Sequence, residues 1–226
     1  MSSTMYDVIM DLPLFQGISR EHVSQFLEKT YVEFINFEAG TVLMHAGDTE
    51  DALLYVIGGV LELEWKNQPG DIKILFTLGE RSLVDASHLY GMARAMPYTL
   101  RARTDVSLLR IEKTQFMAFL DKQPIYLLNF VNYLSLRAQK GMSALEHVKD
   151  ASLRTLLSVW INETTPSEAD NIEIHASIST LSRYCNMSVE GVRRALAALQ
   201  ARELITRKRD VVSVLSRRQF LQELFS

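Results

Sequence analysis

Between residues 31 and 111 the chain breaks into short β-rich runs separated by turn residues. The runs are Tyr31–Phe37, Thr41–His45, Leu53–Val56, Val60–Trp65, Ile72–Leu78, Leu100–Ala102 and Val106–Ile111. Glu38-Ala39-Gly40, Ala46-Gly47-Asp48, Gly58-Gly59 and Gln68-Pro69-Gly70-Asp71 fall between them, and their glycines suit corners of positive φ. Strands at this spacing predict a sandwich or a barrel-like roll. Before them, residues 11–30 read as short helices. Ser19-Arg20-Glu21-His22 has the form of a capped start, and Val23, Phe26 and Leu27 share one helical face.

From Glu112 the period lengthens to that of a helix. Pro124 suits a first turn, and no further proline interrupts the chain before Lys149. Leu128, Val131, Ser135, Ala138, Met142 and Leu145 recur at alternating intervals of three and four, the spacing of a coiled-coil seam. Leu127, Phe130 and Leu134 form a second apolar flank. One flank can pack on the roll while the seam pairs with a second copy of the chain. The alternative is a helix buried wholly within its own domain.

Ala151–Asn162 continues as a helix, residues 163–171 are a polar loop, and Ile172–His175 is a short strand or lead-in. Ser177–Leu199 then reads as two helices with a tight corner at Asn186-Met187. Ser188 is a natural N-cap for the second helix. Val192, Leu196 and Leu199 form its inner face, and Glu190, Arg193, Arg194 and Ala197 point elsewhere. Two β-rich runs, Leu204–Thr206 and Val211–Leu215, flank the charged tip Arg207-Lys208-Arg209-Asp210. This is the order of a helix-turn-helix followed by a hairpin wing.

Charge agrees with that reading only once it is divided. Residues 177–218 hold nine basic side chains against three acidic ones, a surplus of +6 that leaves −9 for the rest of a chain whose net charge is −3. Such a split predicts two modules, the C-terminal one facing a polyanion. The expected DNA-contacting residues are Ser188, Val189, Glu190, Arg193 and Arg194 on the second helix, with Arg207, Lys208 and Arg209 on the wing. Arg194 is placed for bidentate contact to guanine, and Arg193 for base or phosphate. Glu190 has three open roles: accepting from a cytosine amino group, complementing the helix dipole, or orienting Arg194.

A single cysteine, Cys185, excludes an internal disulfide and a cysteine-ligated metal or iron–sulfur site within one chain. Its plainest role is that of a small buried residue. No apolar run reaches membrane-spanning length, and the N-terminus lacks a signal-like pattern, so a cytoplasmic protein is expected. No phosphate-cradling glycine loop, two-histidine metal spacing or nucleophile–base motif stands out, and no enzyme activity is expected.

These residues resemble the Crp/Fnr family of bacterial transcription regulators over nearly the whole length. The roll corners Glu38-Ala39-Gly40-Thr41, Ala46-Gly47-Asp48 and Leu54–Val60 match its pattern, and Pro124 falls where its long dimer helix opens. Ser188-Val189-Glu190-Gly191-Val192-Arg193-Arg194 resembles its recognition helix, with Glu190 and Arg194 at the base-reading positions. Val189 resembles the Fnr-like branch rather than the Crp-like one, which has arginine there. The resemblance implies an α+β chain: an N-terminal double-stranded β-helix of the cyclic-nucleotide-binding type over 1–122, a dimerisation helix over 123–149, and a winged helix-turn-helix over 150–226. It also implies a homodimer on inverted-repeat double-stranded DNA, with RNA polymerase as a further partner.

The sensor departs from the family pattern. Cyclic-nucleotide-binding members place an arginine and a hydroxyl against the cyclic phosphate, because a buried anion needs a fixed cation and donors. Anchored on Leu100–Thr104, those positions fall at Met96 and Pro97, and the ribose-binding glutamate falls near Val84 or Asp85. The cation is then missing unless Arg94 or Arg101 reaches in. Cyclic AMP is not the expected effector. Iron–sulfur sensing lacks its cysteines, and for haem only His45, His88 and His147 offer ligand chemistry, so no cofactor is expected. Met92, Met96, Tyr98, Arg101 and Met142 form the expected lining of an effector pocket, or else simply fill it. The competing function is a ligand-binding module acting through a protein partner. Effector identity, operator sequence and the choice between activation and repression stay open at this point.

Overall fold

The computed structural model describes residues 5–29, 31–122, 124–146 and 152–222. The chain divides into two compact units, Met1–Glu62 with Leu78–Arg137, and Leu63–Thr77 with Ala138–Ser226. Boundaries drawn after residues 122 and 149 follow chain order. The compact units follow pairing instead, and one hairpin from the roll's stretch of sequence belongs with the C-terminal unit. No helix among the described residues is long and apolar enough to cross a membrane.

In the first unit, α1 (Met5–Met10) and α2 (Arg20–Lys29) precede the strands β1 (Glu33–Phe37), β2 (Val42–Met44) and β3 (Ala52–Gly58). β4 (Leu61–Lys66) and β5 (Lys73–Leu78) follow, then β6 (Leu83–Val84), β7 (Tyr98–Ala102) and β8 (Val106–Glu112). β1, β8, β3 and β6 form an antiparallel sheet in that order, with Ile35 opposite Leu108 and Tyr55 opposite Leu109. β2 pairs with β7. Ala52–Val56 is buried throughout rather than alternately, so β3 is covered on both faces. Gly59 turns the corner after it at φ +82°, where a Cβ would collide with the Asp105 carbonyl oxygen.

Two helices close this unit, α3 (Lys113–Lys122) and α4 (Pro124–Glu146), the latter opening on proline as its sequence predicts. An aromatic core joins them to α2 and to Phe15: Phe26 lies 4.2 Å and Tyr126 4.0 Å from Phe119, ring centre to centre, and Phe130 meets Phe116 edge-on at 5.1 Å. Each such pair adds about 0.5–1.5 kcal/mol beyond its buried area. The inner stripe of α4 is Tyr126, Phe130, Tyr133 and Arg137, at intervals of four, three and four. Its seam faces outward. Leu128 and Val131 are 53% and 47% exposed, and Ser135 and Ala138 are exposed too; Leu127, expected on the second flank with Phe130, is 48% exposed as well. The side chains of Met142 and Leu145, and residues 147–151, lie outside the described residues.

The second unit contains α5 (Leu153–Thr164), β9 (Asp170–His175), α6 (Ile178–Cys185), α7 (Val189–Ala201), β10 (Ile205–Lys208), β11 (Val211–Val214) and α8 (Arg217–Gln222). Ser152 caps α5 by accepting from Thr155 N at 3.2 Å, which moves the helix two residues later than its sequence periodicity predicts. The last helix is not evident in the sequence pattern. β10, β11, β9 and β5 are neighbours in that order. Lys73 stands opposite His175, Ile74 opposite Ile174 and Leu75 opposite Glu173. Ile72, Ile74 and Phe76 are fully buried.

Candidate nucleic-acid interface and sensor interior

Within the roll the polar residues gather around Asp85. It caps the 3-10 turn Ala86–His88, accepting from Ser87 N at 3.2 Å and from the Ser87 hydroxyl. Arg137 arrives from the inner stripe of α4. Its Nη1 lies 3.0 Å from Asp85 Oδ1, and its Nη2 donates to Oδ2 at 3.4 Å. His88 Nδ1 lies 3.3 Å from the same carboxylate. Tyr98 and Tyr133 hydrogen-bond to the Arg137 guanidinium. The Asp85 side chain is only 5% exposed and that of Arg137 26%. Burial pushes the Asp85 carboxyl up, but His88, Arg137 and Ser87 outweigh it and hold it at about 2. Burial likewise lowers Arg137, and Asp85 more than restores it.

The expected pocket residues do not all meet there. Met96 and Tyr98 are buried in the roll. Met92 is fully exposed, in an irregular bend with no strand to aim it inward. Arg101 is also exposed and donates to the Gly40 carbonyl at 3.1 Å, because it alternates with the buried Leu100 and Ala102. Met142 lies outside the described side chains. Arg94 pairs with Asp51. Neither of the two arginines proposed to supply the missing cation reaches the interior. Arg137, which sequence reasoning did not single out, does so. His45 is exposed, His88 serves Asp85, and His147 is outside the described residues. Among the described residues no group of three His, Cys, Asp or Glu side chains is arranged to hold a metal ion.

In the second unit Asn186 ends α6 in the left-handed conformation, at φ +50°, a region asparagine tolerates well. Ser188 caps α7 by accepting from Gly191 N at 3.0 Å. Val192, Leu196 and Leu199 are buried beneath the helix. Ser188, Val189, Glu190, Arg193 and Arg194 are all exposed on its N-terminal half. Glu190 pairs with Arg193 at 3.5 Å, both more than half exposed, rather than with Arg194. A pair this exposed contributes little stability and leaves both residues available. β10 and β11 form the expected hairpin, Lys208 opposite Val211, with Arg209 at φ +56° in its tip. Lys208 and Arg209 are exposed and Arg207 half-buried. Cys185 is buried, and burial pushes its thiol up, away from reactivity.

Residues 34–123 match the cyclic nucleotide-binding domain family. Over 175 residues the chain is 21% identical to the cAMP-activated global transcriptional regulator CRP of Salmonella typhimurium, covering 75% of this chain and 83% of that one. The catabolite activator protein of Thermus thermophilus has the same fold, with a TM-score of 0.54 and 20% identity over 94% of this chain and 98% of that one. The chain shares the fold of this activator protein. Over 122 residues, 53% of this chain and 14% of the other, it is 33% identical to the potassium channel SKOR of Arabidopsis thaliana. The chain spans 13–16% of the length of the plant channels it matches. Residues 34–123 thus match a cyclic nucleotide-binding domain, and the polar interior of the roll centres on Asp85 and Arg137.

Proposed function

We propose that this chain is a homodimeric, sequence-specific DNA-binding transcription regulator. The observation that carries the reading is the Ser188-capped helix presenting Val189, Glu190, Arg193 and Arg194 beside a cationic hairpin. A helix N-terminus with exposed arginines reaches base edges, and flanking cations bind phosphates whatever the sequence. In a two-fold dimer the two helices enter successive major grooves roughly 34 Å apart, so the operator is an inverted repeat.

Fluorescence anisotropy with inverted-repeat DNA from upstream of the chain's own gene tests this. Arg194→Ala should cost about 1–3 kcal/mol and relax preference at one position per half-site. Lys208→Ala should weaken all sequences about equally and make the log K against log salt slope shallower by about two in a dimer. Glu190→Ala should lose discrimination at a cytosine if Glu190 reads a base, and should bind more tightly with unchanged specificity if it only pairs with Arg193. Full specificity in Arg194→Ala, with loss in Lys208→Ala, would reverse the proposed orientation on DNA.

The effector is not a cyclic nucleotide in this reading. Met96 and Pro97 supply no cation or donor side chain for a phosphate, and Arg137 is already engaged by Asp85. Calorimetry should show cyclic AMP and cyclic GMP binding no tighter than about 1 mM. Micromolar binding of either would overturn this view of the interior.

A further inference from the structure

We propose that the β4–β5 hairpin positions the DNA-reading helices, with Asn67 and Asp71 at its tip as the positioning residues. The proposal rests on the DNA-binding reading above. The hairpin's sequence lies between roll strands, yet residues 63–77 belong to the second unit. β5 adds a fourth strand beside β9, with Ile74 directly opposite Ile174, both fully buried. At the far end Thr77 Oγ1 donates to the Asp170 carbonyl at 3.2 Å and accepts from Asn171 Nδ2 at 3.0 Å.

The tip is built to hold its shape. Asn67 N donates to the Ile72 carbonyl at 3.2 Å, and Asn67 Oδ1 accepts from Ile72 N at 3.1 Å. Its Nδ2 donates to Asp71 Oδ1 at 2.7 Å and to the Tyr184 hydroxyl at 2.9 Å. Asp71 also accepts from Arg183 and, at 3.4 Å, from the Tyr184 hydroxyl. Tyr184 meets Trp160 of α5 edge-on at 5.6 Å. The C-terminal end of α6 is therefore gripped by the hairpin tip and by α5.

That grip passes to α7 through the corner. Ser182 Oγ donates to the Met187 carbonyl at 2.5 Å, and Met187 N donates to the Ser182 carbonyl at 3.1 Å. Ser188, the cap of α7, is the next residue. A rotation of α6 thus carries the N-terminus of the recognition helix with it. The ion pair itself is part-exposed, 26% for Asp71 and 66% for Arg183, so it adds little to stability. Its contribution is directional, because three bonds converge on neighbouring side chains of one helix.

Anisotropy on the full-length chain tests the proposal. Asp71→Ala and Asn67→Ala should each weaken operator binding about three- to tenfold, with non-specific DNA binding and melting temperature unchanged. Asp71→Glu should restore much of the loss, and Arg183→Gln should add nothing to Asp71→Ala. A cross-strand disulfide from Lys73→Cys with His175→Cys, which locks β5 on β9, should keep operator binding intact when oxidised. Wild-type specificity in both alanine variants, or loss of operator binding in the oxidised staple, would overturn the positioning role. If the wild type binds no DNA, the functional reading fails. The hairpin's role is then judged by hydrogen exchange: faster exchange in α6 and α7 of Asp71→Ala upholds it, and unchanged exchange sinks it.

Discussion

Replacing Leu128 and Val131 with aspartate should leave the fold intact and turn a dimer into monomers. Both side chains are about half exposed and contribute little to the aromatic core on the other side of α4. Two apolar residues at this spacing, continued by Ser135 and Ala138, are the part of a seam that can accept a facing helix. Four aspartates brought together across a two-fold axis would repel in a low-dielectric interface. In the proposed homodimer, loss of the second copy converts bivalent operator binding to monovalent, so affinity should fall about 10²- to 10⁴-fold. Leu136→Asp is the control. Leu136 is 51% exposed but sits round the helix from the seam, and its change should leave the dimer whole. Analytical ultracentrifugation of the three proteins decides the matter, and unchanged sedimentation of the double variant would refute the seam.

Arg137→Ala should strongly destabilise the roll. It leaves the nearly buried Asp85 carboxylate without its counter-charge, which costs about 3–5 kcal/mol. The pH dependence identifies the cause. Asp85 titrates in the native protein at about 2, below its ordinary value. The native state therefore binds fewer protons than the unfolded one, and the stabilisation is complete above about pH 4 and lost as pH falls through about 2. Without Arg137 burial acts on the carboxyl with less opposition and pushes it upward. The gap between wild type and variant, read by urea denaturation, should accordingly be large at pH 7 and narrow towards pH 3. Asp85→Asn with Arg137→Leu should recover much of the loss, since it removes both charges together. A gap that stays constant with pH would mean that lost packing, not charge, is responsible.

Much of this architecture is legible in the sequence because it rests on local rules. Alternation and glycine corners mark the strands of the roll, Pro124 opens the long helix, and Ser188 starts α7 where its hydroxyl can cap it. Features that depend on distant partners are not legible in the same way. Asp85 and Arg137 stand 52 positions apart, and nothing local pairs them. A signal for Arg137 does exist, since it continues the inner stripe of Tyr126, Phe130 and Tyr133 at helical spacing. Arg101 has the chemistry of a phosphate ligand, although its place between Leu100 and Ala102 turns it outward by strand parity alone. β5 shows the limit of pattern most directly. Its buried Ile74 and Phe76 announce a strand with a covered face, but alternation records burial and not the identity of the cover.

The pairing of β5 with β9 also has a consequence for synthesis. Thr77 and its partner Asp170 are 93 positions apart. At ribosomal rates that interval lasts roughly 5 to 20 s. During it Ile72, Ile74 and Phe76 have been made, while the strand that covers them has not. A long-range ladder of this kind also closes slowly once both strands exist. The polar tip from Asn67 to Asp71 and the charge on Lys73 then act as gatekeepers beside an apolar strand with an unpaired edge. The segment that completes the C-terminal sheet is thus the one most exposed to misassociation on the nascent chain, and translation pauses after residue 77 should lower the yield of folded protein more than pauses before residue 63.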